Sequence, residues 1–175
     1  MGIHHIALAT RDVKANHEFY TGAMGFRLAK VEVGQAGKNG FAKHLFYDTG
    51  GGGMIAFWDL HDPDLEAGWR TDIADGLGLP RWTNHLAFDA TSVDDLHARM
   101  RRILDHGHDV TEIDHYWCHS IYVNDPNGIL VEFCVTTREF TDADTTKALE
   151  LLEATEPQLS KPPIIKVHQA DRGRS

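Results

Sequence analysis

One pattern occurs twice in this chain. His4-His5-Ile6-Ala7-Leu8-Ala9-Thr10, followed by Asp12-Val13, returns eighty residues later as Asn84-His85-Leu86-Ala87-Phe88-Asp89-Ala90, followed by Ser92-Val93. Each copy carries a histidine at the head of an alternating, strand-like run and then passes into a helix-like segment. With 175 residues, the chain has the length of one domain built from two fused halves, and it can bury a core without disulfides. Two copies are too few for a solenoid. One histidine from each copy, together with a glutamate near the end of the second, points to a shared metal site and hence to an enzyme.

The rest of each half follows the same order. Ile3 to Thr10 reads as a strand, and Val13 to Thr21 as a helix capped by Asp12, with Gly22 and Gly25 at its exit. Arg27–Val33, Phe41–Tyr47 and Met54–Trp58 read as three strands, which makes the first unit βαβββ. Residues 60–81 show no period and read as a linker or a functional loop, whose Trp69 and Trp82, with Trp58 nearby, are suited to covering a pocket. In the second unit, Asn84–Ala90 is a strand. Ser92 caps a helix over Val93–His106 with an apolar stripe of Val93, Leu96, Met100, Ile103 and Leu104, and Gly107 ends it. Val110–Ile113, Cys118–Val123 and Ile129–Thr136 are strands, the last two joined by the tight turn Asp125-Pro126-Asn127-Gly128. Asp142–Glu153 is a further helix capped by Thr141 or Asp142. The tail beyond Pro157 is left open between wrapping onto a neighbour and staying disordered. The expected fold class is α+β: a first βαβββ unit (1–59), a linker (60–81), a second βαβββ unit (82–138) and a C-terminal helix and extension (139–175).

Charge narrows the partners. Seventeen basic against 26 acidic residues give a formal −9, so the basic face needed for nucleic acid or an anionic membrane is not expected. No run of about 18 apolar residues spans a bilayer, and the N-terminus enters a strand pattern with no charged-then-apolar leader, which reads as cytoplasmic. Cys118 and Cys134 lie in apolar strand-like runs without CxxC spacing and read as buried free thiols. Gly50–Gly53 lacks the GK[ST] of a phosphate loop and reads as a hairpin turn.

Strand periodicity sorts the site candidates. Residues two apart share a face, so His5 stands with Ala7 and Ala9, His85 with Ala87 and Asp89, and Glu132 with Leu130 and Cys134. Small neighbours leave room around each imidazole. Glu132, between Val131 and Phe133, needs a partner if buried, and that partner is a divalent cation or a lysine or arginine. Taken singly, strand histidines and glutamates are more often packing or salt-bridge residues. Their placement at equivalent repeat positions is what singles these out. His119 is at odd spacing from Tyr122, so a regular strand turns it to the other face.

These residues resemble the vicinal oxygen chelate superfamily, which includes glyoxalase I, fosfomycin-resistance proteins, bleomycin-binding proteins and type I extradiol dioxygenases. The resemblance covers residues 3 to 136. It implies two βαβββ units whose curved mixed sheets enclose one metal cavity, with His5, His85 and Glu132 as the metal ligands. The run Ile113-Asp114-His115, five residues, Ile121-Tyr122, two residues, Asp125-Pro126-Asn127-Gly128, three residues, Glu132 is similar to the extradiol dioxygenase signature. It implies that Tyr122 partners a substrate hydroxyl and that His115 contacts substrate or a ligand. There are two departures. Met54-Ile55-Ala56-Phe57 offers neither the fourth ligand of glyoxalase I nor the acid/base histidine of two-domain extradiol enzymes, for which His44 on the preceding strand is a substitute.

Two imidazoles and one carboxylate leave adjacent coordination positions for two vicinal oxygens and for dioxygen. The resemblance therefore implies an extradiol-type dioxygenase of aromatic catabolism, acting on a catechol-like diol with O2. It also implies a divalent metal, Fe(II) before Mn(II) or Zn(II), and a homodimer. The alternatives are a non-redox isomerase, lyase or thiol transferase with the same ligands, and a metal-free binding protein of the bleomycin-resistance type.

Overall fold

The computed structural model describes residues 2–172; Met1 and residues 173–175, the polar end of the tail, lie outside the described residues. The first unit runs β1 (His5–Thr10), α1 (Val13–Glu18), a π-helical turn (Phe19–Ala23), β2 (Arg27–Ala36), β3 (Gly40–Gly50) and β4 (Gly53–His61). A segment with one short helix, α2 (Ile73–Gly76), and a 3-10 turn (Arg81–Thr83) leads to the second unit. That unit runs β5 (His85–Asp89), α3 (Val93–Asp105), β6 (Val110–Asp114), β7 (Cys118–Asn124) and β8 (Leu130–Thr136), followed by α4 (Asp142–Glu153) and β9 (Ile164–His168). The α+β reading of two βαβββ units holds. Their sheets are ordered β1-β4-β3-β2 and β5-β8-β7-β6-β9, with parallel pairing of the first and last strands of each unit.

Local chemistry sets the helix ends as expected. The Asp12 carboxylate accepts from the backbone N–H of Lys14 (3.1 Å) and Ala15 (2.9 Å). The Ser92 hydroxyl accepts from Asp95 N–H at 3.1 Å, and Thr141 forms a capping box with Asp144. The first helix departs from the expected regular run to Thr21. It widens at Phe19, where Met24 N–H reaches back to the Phe19 carbonyl at 3.0 Å, and this turns Phe19, Tyr20 and Ala23 all into the core. The tail also settles a question that the sequence left open. Ile164–His168 adds a fifth strand antiparallel to β6, with Lys166 opposite Glu112 and His168 opposite Val110.

Each sheet has one face packed on helices and one face turned away from the core. Leu8, Leu45, Tyr47, Ile55 and Phe57 from the first sheet, and Leu86, Phe88, Ile121, Val131 and Phe133 from the second, join Tyr20, Met24, Phe26, Leu96 and Ile103 in one continuous core. Phe26 bridges the units, its ring 4.9 Å from Phe88 and 5.9 Å from Phe133. Gly25 makes this approach feasible: its φ is +73°, and a Cβ there would lie 1.9 Å from the Arg102 guanidinium of α3. His5, Ala7, His85, Ala87 and Asp89 lie on the opposite, exposed faces. Cys118 and Cys134 are free thiols. Burial, then the neighbouring Cys134, pushes the Cys118 thiol up to about 12, so it stays protonated. No helix among the described residues is long and apolar enough to cross a membrane.

The turn at 125–128 has a second role beyond joining strands. The buried Asp125 carboxylate accepts from the Tyr20 hydroxyl (3.0 Å), from Asn127 Nδ2 (2.8 Å), and from the backbone N–H of Asn127 (2.9 Å) and Ile129 (2.8 Å). Asn127 Nδ2 also donates to Asn16 Oδ1 of α1 at 2.9 Å, and the Thr71 hydroxyl donates to the Asn127 carbonyl at 2.8 Å. The turn is therefore a polar clasp between the units, and residues 60–81 lie over it.

Burial raises the Asp125 carboxyl above its ordinary value, although the Asn127, Ile129 and Tyr20 hydrogen bonds oppose that shift. A raised native pKa means that the folded state holds the proton longer than the unfolded chain does. The Asp125 contribution is then fullest below the unfolded value near pH 4 and declines as pH rises through the native value. Urea denaturation of wild type and Asp125→Asn across about pH 3 to 7 should show the wild type losing stability relative to the variant as pH rises. Asp125→Ala, which orphans several buried donors, should cost about 3 kcal/mol or more; a loss under about 1 kcal/mol would mean that the clasp carries no stability.

Candidate functional site

The outer face of the second sheet carries a cavity of about 430 Å³ lined by Trp82, His85, Thr111, Ile113, His115, Tyr122 and Leu130. Strand alternation builds it. On β7 and β8, Tyr122 pairs directly with Glu132, and on β5 and β8, Ala87 pairs with Glu132, which leaves space for His85 to lean over the carboxylate. His85 Nε2 lies 3.0 Å from Glu132 Oε2, and the Glu132 side chain is only 6% exposed. His115, at the base of the β6–β7 turn, places its Nε2 at 3.3 Å from the Tyr122 hydroxyl. That turn is held open by Tyr116 at φ 69°, with its N–H donating to Asp114 at 2.7 Å.

Hydrogen-bond inventory makes the His85–Glu132 pair chemically specific. His85 Nδ1 sits 2.9 Å from the Trp82 carbonyl oxygen, which can only accept, so Nδ1 carries a proton. In a neutral His85, Nε2 is then a bare lone pair facing a carboxylate oxygen. The contact requires either a second proton or a cation between them. One imidazole and one carboxylate are two of the donors a metal site would need, and the Nδ1 bond fixes the ring as it does for ligating histidines. The cavity residues therefore fit a divalent ion. Burial, then the Glu132 charge, pushes the Tyr122 phenol well above its ordinary value, so at neutral pH Tyr122 is a hydrogen-bond donor and not a base.

Of the expected site residues, the structure brings together His85, Glu132, Tyr122 and His115. It places His5 elsewhere, on the outer face of the first sheet. There His5 Nδ1 lies 2.8 Å from His4 Nδ1, and its ring is 5.6 Å from Phe46 and 6.3 Å from His44. Among the described residues, no group of three ligand types that includes His5 has its ligand atoms within 4.8 Å of one another. The cavity over Glu132 is walled wholly by residues from Trp82 onward. His44 is buried, stacked on Trp58 with ring centroids 3.7 Å apart, and its Nε2 has no hydrogen-bond partner. Burial, then the His5 charge, lowers its pKa, which keeps the ring neutral. Trp82 lines the cavity; Trp69 does not, and instead lies under the Arg11 guanidinium, 5.3 Å from the ring centre. His119 faces away from Tyr122, as its odd spacing implied.

Residues 2–133 match the family model described as the Glyoxalase/Bleomycin resistance protein/Dioxygenase superfamily, and the chain belongs to that family. No curated protein sequence matches it. Three solved structures are similar in fold. A glyoxylase/bleomycin resistance protein/dioxygenase domain from Frankia sp. EAN1pec is 20% identical with a TM-score of 0.59, covering 78% of this chain and 98% of its own. The fosfomycin resistance protein FosX from Listeria monocytogenes is 20% identical with a TM-score of 0.52, covering 78% and 94%. The antibiotic-binding protein TnmS3 from Streptomyces sp. CB03234 is 16% identical with a TM-score of 0.50, covering 78% and 97%.

The cavity geometry yields a direct expectation. His85→Ala and Glu132→Ala should each remove most of the metal that the wild type holds at this cavity, as read by metal analysis after dialysis. Full retention by Glu132→Ala would remove the carboxylate from the ligand set.

Proposed function

We propose that the protein is a metal-dependent dioxygenase that opens the ring of a catechol-like diol with O2, using Fe(II) held by His85, Glu132 and His5. The reading is carried by one observation: His85, His115 and Tyr122 line one apolar-walled cavity with Glu132 against His85, and His115, Tyr122 and Glu132 have the order and spacing of the extradiol signature. When bound, such an ion supplies a Lewis acid for two vicinal oxygens and a redox partner for dioxygen. The chain's own residues do the rest. Trp82, Ile113 and Leu130 offer an apolar bed for a flat ring and exclude water from it. Tyr122, protonated at neutral pH, donates to one substrate oxygen. His115, 3.3 Å from that hydroxyl, orients it and passes a proton to or from it.

In this reading the third ligand, His5, comes from the first sheet of a second copy, so that the outer faces of two chains close one cavity as a homodimer. Trp58, part-exposed on the same sheet face as His5 and Ala7, supports such a partner surface. Complementation tests it. His5→Ala and Glu132→Ala homodimers should each be inactive, and unfolding and refolding them together should restore about a quarter of wild-type activity, because half the dimers are mixed and each carries one intact site of two. No recovery would place His5 outside the site.

The second reading, a non-redox enzyme with the same ligands, is favoured by Met54. It stands opposite His5 in the β1–β4 register, where an acid/base histidine is missing. Oxygen uptake separates the two. Fe(II)-loaded protein with a catechol under air should consume about one O2 per substrate, and Tyr122→Phe should keep its metal and lose turnover by about 10²-fold or more. Full activity with Zn(II) in the absence of oxygen would defeat the dioxygenase reading.

A further inference from the structure

On the other face of the second sheet, and from different residues, a second set of ligands converges. Glu112 of β6 is 4% exposed and points toward α3, away from the cavity. His119 Nε2 of β7 lies 2.8 Å from its Oε1, and His97 Nε2 of α3 lies 3.4 Å from the same oxygen. Its other oxygen, Oε2, is held by His168 Nε2 of β9 at 2.7 Å, with Lys166 Nζ at 3.8 Å. Among the described residues, His97, Glu112 and His119 are the one group of three whose ligand atoms all lie within 4.8 Å of one another.

We propose that His97, Glu112 and His119 form a second metal site, independent of the cavity, that takes Zn(II) or a first-row ion of similar borderline character. Two imidazoles and one carboxylate are a zinc-type donor set. Tetrahedral zinc with bonds of about 2.0 to 2.2 Å sets its donors roughly 3.3 Å apart. The Glu112–His119 and Glu112–His97 separations of 2.8 and 3.4 Å bracket that spacing, and the two imidazole nitrogens lie within 4.8 Å of each other. The three ligands come from three elements and are aimed by the fold. His119 and Glu112 share the helix-side face of adjacent strands, and α3 crosses above them with His97 pointing down. With Oε2 held by His168 and Lys166, Oε1 is the oxygen left for an ion. The ion takes the place of the protons that His97 and His119 share with Oε1, and each ring then carries its proton on Nδ1. A cleft of about 170 Å³ beside Glu112 and His119, lined also by Asp114, Ile164 and Lys166, leaves room for water as the fourth ligand. His168 and Lys166 of β9 hold the other oxygen of the same carboxylate, so the site lies where the C-terminal strand meets β6.

The test is Zn(II) titration of chelator-stripped full-length protein, read by bound metal per chain and by thermal unfolding, in wild type, His97→Gln/His119→Gln and His85→Ala/Glu132→Ala. The expected result is that His85→Ala/Glu132→Ala still binds Zn(II) and is stabilised by it. The His97→Gln/His119→Gln protein should bind one Zn(II) fewer than wild type and lose the thermal shift assigned to this site. If the cavity reading is wrong, wild type binds a single Zn(II), and that ion is lost only in His97→Gln/His119→Gln; the present proposal then stands alone. Should the double variant fail to fold, His97→Gln alone, on a partly exposed helix position, must weaken this site at least tenfold. Unchanged stoichiometry in the double variant, or unchanged affinity in His97→Gln, overturns the proposal.

Discussion

The packing of one buried carboxylate governs the whole arrangement. Asp125 is buried and is satisfied by two backbone amides of its own turn, by Asn127, and by a tyrosine from the other half of the chain. A buried acid with this many donors is costly to displace, because each donor would be orphaned in turn. The turn therefore has one seat against α1 and the π-helical segment. That seat fixes the direction in which β8 leaves it, and β8 carries Glu132 seven residues on. The same contact pins the helices of the two units to each other, so both sheets must turn their polar faces outward. The position of the cavity beside Glu132 on an outer face is thus a consequence of how the units are clasped.

This explains why the single chain gathers four expected site residues and separates the fifth. His85, Glu132 and Tyr122 belong to one sheet and His115 to the turn that joins its β6 and β7, so strand register and one tight turn are enough to bring them together. His5 belongs to the other sheet, whose relation to the first is set by the core and the clasp. Within each sheet the parallel pairing of first and last strands is the same: His5 stands opposite Met54, and His85 opposite Leu130. The repeat is therefore real in three dimensions, but the two copies present their histidines on separate surfaces.

What was legible in the sequence follows the same division between local and distant causes. The helix caps at Asp12, Ser92 and Thr141, the span of α4 and the faces of β5, β7 and β8 depend on neighbours a few residues away, and a reader of the sequence can find them. The widening of α1 at Phe19 answers to packing against α3 near Gly25 and Arg102, which no local pattern announces. β9 lies in a tail of mixed composition; its Ile164-Ile165-Lys166-Val167 run is β-branched enough to have marked a strand, but five residues without a turn partner give no register. The clasp role of Asp125-Pro126-Asn127-Gly128 was hidden because its partner, Tyr20, is 105 residues away, and the turn chemistry of those four residues was a sufficient local explanation.

Strand alternation carries one further consequence. On β7, Tyr122 and His119 are three residues apart and so face opposite sides. Across β6 to β8, Glu132 faces outward with His85, and Glu112 faces α3 with His97 and His119. One sheet therefore holds two carboxylates, each buried and each met by imidazole nitrogens, on its two sides. Their surroundings differ in what they leave open. Beside Glu132 the walls are Trp82, Ile113 and Leu130, and the free space can hold an organic ring. Beside Glu112 the space is a small cleft bordered by Asp114 and Lys166, with a third imidazole and an ammonium at the rear oxygen. The first arrangement suits an ion that must accept substrate; the second suits an ion that must stay. A sheet two residues in period can serve both ends at once, because a shift of one position along the strand moves a ligand from one chemistry to the other.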